Sequence, residues 1–313
     1  MRDSPTINRC RYAGSWYDSD PAGLERTLQH SLDAAPRDGR TRSAEDRGVN
    51  LAEDRGVNLA VVPHAGLRYS AAGMAAAFVA VDPESIDRVV ILAPSHSVRL
   101  TADRLHGERF DEHETPLGPI AGAPEFWTGG ESAVDFVDDA VEREHAVELL
   151  LPYVRYLFGD TVRLTVVLVP ELTSLQSVGE RARDLSSAID RAAGHERTLV
   201  LVSSDFTHYG ARFGHAPYGT TAGADLEQRV AADDLAFADK IAAADTAAVW
   251  RIIDAGQITV CGRYPIAVAT DLAARWGYAG RRALYYNSNR DGAPSAEFVC
   301  YATIVFGPEG SAR

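Results

Sequence analysis

The chain has 313 residues, 46% hydrophobic and 24% charged, with a formal net charge of −13. That acidity argues against nucleic acid or an anionic membrane as the main partner, and no apolar run reaches the ~18 residues of a membrane span. The N-terminal Met1-Arg2-Asp3-Ser4-Pro5-Thr6 lacks the apolar core of a signal peptide, and three cysteines (Cys10, Cys261, Cys300) do not form a disulfide framework, so a cytoplasmic location is expected.

The predicted elements alternate between helix and strand. A helix is expected from Pro21 to about Leu32. An eight-residue stretch, Ala44–Leu51, is repeated at once as Ala52–Leu59. The repeat falls in a polar segment, 36–56, expected to be an exposed, mobile insertion loop. Strand 57–63, helix 70–81 and strand 88–93 follow. Residues 144–158 read as a helix with Val147, Leu150, Leu151, Val154 and Leu157 on one face, and Pro152 marks a kink or a late start. The continuous apolar run 162–169 has the pattern of a strand covered on both sides. Helix 174–193, strand 198–203 and helices near 224–243, 245–254 and 264–276 come next. The paired strands 282–286 and 297–306 close the chain. This order predicts an α/β fold: a mainly parallel central sheet, helices on both faces, and an antiparallel edge.

Three predicted strands end on residues that bind metal or move protons. Strand 57–63 ends at His64, strand 88–93 leads to His96, and strand 198–203 leads to Asp205 with His208 beyond it. In an open parallel sheet these ends share one edge, the usual place for a site. Imidazole suits iron, zinc, copper or nickel. An aspartate near a histidine can fix its tautomer or act as a ligand. His145, beside Glu144, begins the amphipathic helix, a position equally common for a surface residue. Cys261 reads first as a small buried hydrophobe, although Gly262 allows close backbone approach and Arg263 could lower a thiol pKa. Cys10 and Cys300 look structural. His30, His106, His113, His195 and His215 have no comparable context. No Gly-x-Gly-x-x-Gly, Walker A or Gly-x-Ser-x-Gly pattern supports nucleotide binding or a serine hydrolase.

Taken in order, Ala13-Gly14-Ser15-Trp16-Tyr17, Pro63-His64-Ala65-Gly66, Pro94-Ser95-His96, Glu144-His145, Leu151-Pro152-Tyr153, Ser203-Ser204-Asp205-Phe206-Thr207-His208 and Cys261-Gly262-Arg263-Tyr264-Pro265 resemble the MEMO family, whose prokaryotic members are also called AmmeMemoRadiSam system protein B. The resemblance runs from about residue 9 to 306 and implies one MEMO-like domain over 1–313 with a fold similar to the class III extradiol dioxygenases. It implies His64, His96 and Cys261 as metal ligands, and His208, Asp205 and His145 as catalytic groups. Fe(II) is the expected cofactor, with Cu or Zn as alternatives. The expected activity is a non-haem iron-dependent oxidoreductase or dioxygenase acting on a small molecule with O₂. The alternatives are a phosphopeptide-binding adaptor on the same scaffold, with a peptide partner, or a copper- or iron-handling protein. Ser97 and Tyr264 stand where relatives often carry histidine, and Leu150 where they often carry a polar residue. The thiolate ligand and the duplicated segment also depart from the pattern.

Overall fold

A computed structural model describes residues 5–36, 56–290 and 292–308. The insertion expected at 36–56 falls almost entirely outside the described residues. A short strand β1 (Ile7–Asn8) precedes helix α1 (Pro21–Ala34), which Asp20 caps by accepting from the Gly23 amide. Strand β2 (Leu59–Val62), helix α2 (Leu67–Phe78) and strand β3 (Arg88–Ala93) follow. Four short strands that the sequence pattern did not reveal come next: β4 (Leu105–Gly107), β5 (Glu112–His113), β6 (Ile120–Gly122) and β7 (Val134–Phe136).

The expected helix 144–158 is divided. Behind α3 (Asp138–Glu142), α4 (His145–Glu148) stops before α5 (Leu151–Phe158) begins. Pro152 lies in the first turn of α5, where its missing N–H has no helical partner to lose. The chain continues through β8 (Arg163–Leu168), α6 (Leu175–Ala192), β9 (Thr198–Ser203) and β10 (His208–Tyr209). Helices α7 (Ala224–Ala242), α8 (Thr246–Asp254) and α9 (Arg263–Trp276) lead to the closing hairpin, β11 (Tyr278–Asn287) and β12 (Phe298–Pro308).

The sheet is mixed. Its centre, β6-β8-β3-β9-β2, is parallel throughout. Antiparallel pairs flank it: β5 against β6 on one side, with β1 joining β5 in parallel, and β2 against β12 and then β11 on the other. The parallel order expected from the sequence therefore holds for the centre alone. Central strand residues alternate between two cores. Ala60, Val62, Val89, Ile91, Leu199 and Leu201 meet α1, α2 and α5 residues such as Leu28, Met74 and Tyr153. Leu59, Val61, Val90, Leu92, Val200 and Val202 meet residues of α6, α7 and α9 such as Leu185, Phe237 and Ile266. Helices thus cover both faces, and each buried Leu, Ile or Val contributes about 2 kcal/mol of hydrophobic stabilisation.

Register places the site. Val62 lies opposite Ser203, and Leu92 opposite Val202. The strands β2, β3 and β9 therefore leave the sheet at the same level. His64, His96 and Asp205 follow within three residues of those exits.

Candidate metal centre

Pro63 ends β2, and His64 turns inward with 2% of its surface exposed. Its ring is fixed by a chain of two hydrogen bonds. The Ser203 hydroxyl donates to the Ala146 carbonyl at 2.5 Å, so Ser203 Oγ must accept from His64 Nδ1 at 2.8 Å. That places the proton on Nδ1 and leaves the Nε2 lone pair unprotonated.

His96 reaches the same tautomer through Glu144. The Glu144 carboxylate accepts from His96 Nδ1 at 2.8 Å and from the His96 backbone amide at 2.5 Å. Glu144 is buried because it also caps α4, accepting from the Ala146 amide at 3.1 Å. These three hydrogen bonds oppose the burial that would raise its pKa, and the carboxyl lies below its ordinary value. A carboxylate behind an imidazole raises its basicity as a ligand.

His145, the first residue of α4, completes the group. One ligand atom each from His64, His96 and His145 lie within 4.8 Å of one another, an arrangement that could hold a metal ion. The ring centroids are 5.3 Å (64–96), 5.4 Å (64–145) and 4.5 Å (96–145) apart. Burial holds the His145 pKa down to about 4 and puts that of His64 well below its ordinary value, with like charge from the neighbouring imidazoles acting in the same direction. Both rings are neutral at pH 7, as metal ligation requires.

Cys261 approaches the Nε2 edge of His64. Its Sγ lies 3.3 Å from His64 Nε2 and 3.3 Å from the Asp205 amide nitrogen. Burial, then the Asp205 charge, push the thiol pKa up. The following Gly262 is required by space: a Cβ there would lie 2.5 Å from Ser204 Cβ and 2.6 Å from the Ser203 carbonyl oxygen. This close approach seats Cys261 against the end of β9.

Asp205 accepts from the His64 backbone amide at 2.8 Å. Burial pushes its pKa up to about 7. The expectation that Asp205 orients His208 gives way to a different arrangement. His208 Nδ1 lies 3.0 Å from the Phe206 carbonyl and 3.1 Å from that of Thr259. Two acceptors place the proton on Nδ1 and leave Nε2 as a base. Burial lowers the His208 pKa. His208 acts electrostatically on His64, and the His96 charge acts in turn on His208.

Several partners escaped the sequence reading. Trp16 packs its ring 4.8 Å from that of His145, and Tyr12 lies 5.9 Å away. The segment that carries them is held by Glu148, whose carboxylate accepts from the Arg11 and Tyr12 amides and from the Tyr17 hydroxyl, at 2.8, 2.8 and 2.7 Å. Glu144 and Ser203 were visible as neighbours of candidate residues, but their hydrogen bonds were not. Of the positions that depart from the family pattern, Ser97 donates to the Arg143 carbonyl, Leu150 is wholly buried, and Tyr264 lies under the Arg263 guanidinium. Cys300 is buried, and the Cys10 thiol donates to the Glu114 carbonyl.

The donor set fits a metal. Two Nε2 lone pairs are fixed in the free tautomer and a third imidazole completes the group, while the Cys261 thiol lies beside His64 alone and is not a member of that group of three. A nitrogen and a sulfur on one tetrahedral zinc-like ion are about 3.5 Å apart, close to the His64–Cys261 separation. No helix among the described residues is long and apolar enough to cross a membrane.

Comparison with known proteins agrees with this architecture. The chain is 28% identical over 306 residues to the protein memo-1 homolog of Caenorhabditis elegans, covering 94% of this chain and 81% of that one. It is 27% identical over 313 residues to a MEMO1 family protein of Methanopyrus kandleri, covering 98% and 99%, and 26% identical over 304 residues to one of Sulfolobus acidocaldarius, covering 94% and 97%. The family model for Memo-like protein matches residues 8–305, and the chain belongs to that family.

Proposed function

We propose that the chain is a metal-dependent oxidoreductase acting on a small molecule with O₂, and that its metal is Fe(II), as in the class III extradiol dioxygenases. The observation that carries this reading is the cluster of His64, His96 and His145, whose ligand atoms lie within 4.8 Å of one another and in which two imidazoles have Nδ1 committed to Ser203 and Glu144. His64, His96 and Cys261 are assigned as ligands. The thiolate offsets the dication charge that neutral imidazoles leave uncompensated. A bound metal supplies vacant positions for substrate and O₂, Lewis acidity and one-electron chemistry.

The remaining groups have separate tasks. His208, neutral and with Nε2 free, accepts a proton from a substrate hydroxyl. Asp205, with a pKa of about 7, holds the His64 backbone in place and can retain a proton at neutral pH. His145 hydrogen-bonds to substrate, and Trp16 and Tyr12 pack against its ring. Oxygen uptake by iron-loaded protein across a panel of small phenolic and carboxylate substrates tests the reading. His208→Ala should retain iron and lose turnover. Absence of metal-dependent oxygen uptake, with tight phosphopeptide binding by metal-free protein, would favour the adaptor instead. Exchangeable copper without turnover would favour metal handling.

A further inference from the structure

A cleft of about 1260 Å³ lies between α1, α2 and β11, and no member of the histidine cluster lines it. Its lining is basic, although the chain carries a net charge of −13. Arg26 and His30 are one turn apart on α1 and so share a face. Arg68 comes from the first turn of α2, and Arg290 from the segment after β11. Asp18 is the one acid among its described lining residues.

Some surface arginines are neutralised, as Arg104 is by Asp135 and Arg181 by Asp184. Arg26 and Arg68 have no such partner among the described residues. Gathering cations around one concavity is unfavourable unless an anion occupies it, and planar guanidinium groups match phosphate oxygens. The cleft also offers flat aromatic surface. Tyr69 is 45% exposed, with the Arg68 guanidinium 5.7 Å from its ring centroid, and Arg290 lies 5.3 Å from that of Tyr286. The volume is above the usual range of about 300–1,000 Å³ for small-molecule pockets, so a lone phosphate would leave most of it unfilled.

We infer that this cleft is a second ligand site, which takes a phosphorylated small molecule of nucleotide size. Arg26 and Arg68 would hold the phosphates, and Tyr69 and Tyr286 would pack against a planar ring.

Calorimetric titration of the full chain with ADP, in chelator so that no metal bridges phosphate to the histidines, tests the inference. Adenosine serves as the uncharged control. ADP should bind at least about tenfold more tightly than adenosine, and the Arg26→Ala/Arg68→Ala double variant should lose about tenfold or more in ADP affinity. His96→Ala should leave ADP binding unchanged, which separates this site from the metal centre. Both arginines are exposed, so an unchanged melting temperature verifies the fold of the double variant. Absence of ADP binding at millimolar concentration, or undiminished binding in the double variant, would overturn the inference.

Discussion

Glu144 binds His96 twice, once at the ring and once at the backbone. Its Oε1 lies 2.8 Å from His96 Nδ1 and its Oε2 lies 2.5 Å from the His96 amide nitrogen. One buried carboxylate therefore sets the position, the tautomer and the basicity of an imidazole in the histidine cluster. It also caps α4, the helix that begins with His145, so the two imidazoles are placed by the same group.

Glu144→Gln tests that arrangement. The amide can still accept a hydrogen bond but carries no charge. Metal affinity should fall about 10- to 100-fold, the usual effect of losing such a partner, as read by competition with a chromophoric chelator. Unchanged affinity would show that the carboxylate has only a structural part.

Glu148 ties the N-terminal segment to the site. Its side chain satisfies three donors from Arg11, Tyr12 and Tyr17 while 5% exposed. Glu148→Ala leaves those donors without their acceptor and should cost about 2–4 kcal/mol of stability in urea denaturation. The Trp16 ring should also loosen from His145, seen as a change in tryptophan quenching by iodide. A loss of under about 0.5 kcal/mol would contradict this account, because it is the size expected of an ordinary surface change.

Asp234 makes stability depend on pH through a group outside the histidine cluster. It accepts from Thr207 Oγ1 and Tyr285 OH, yet burial raises its pKa from 3.8 to about 6. The folded state therefore holds its proton to higher pH than the unfolded chain. Its contribution is fully present below pH 3.8 and is lost as pH rises through about 6. Asp234→Asn cannot ionise. The stability difference between variant and parent should shift in favour of the variant between those limits and stay flat above them. A difference independent of pH over that window would contradict the raised value.

The sequence made the strand ends legible because continuous apolar runs that stop at Pro63, Pro94 and Ser204 mark where parallel strands leave a sheet. Strands 88–93 and 198–203 match the structure residue for residue. His145 and Cys261 were a different matter. Neither ends a strand, their local context favoured a surface and a core reading, and only the family resemblance raised them above those readings. Strands β4 to β7 have two or three residues each, too few to show a period. The Trp16–His145 and Glu148–Tyr12 contacts join segments separated by well over a hundred positions, and neither segment's local pattern shows the other. Ser203 looked like an ordinary strand terminus. Its role appears only when its hydroxyl is seen donating to Ala146, which obliges it to accept from His64.

Metal content, measured by mass spectrometry on protein purified without oxygen, tests the central claim most directly. The comparison set is the parent chain with His64→Ala, Cys261→Ala and His208→Ala. The account predicts near-stoichiometric iron in the parent and in His208→Ala, and its loss from the two ligand variants. Retention of the metal in both His64→Ala and Cys261→Ala, or no metal in a correctly folded parent even after anaerobic loading with Fe(II), would contradict it.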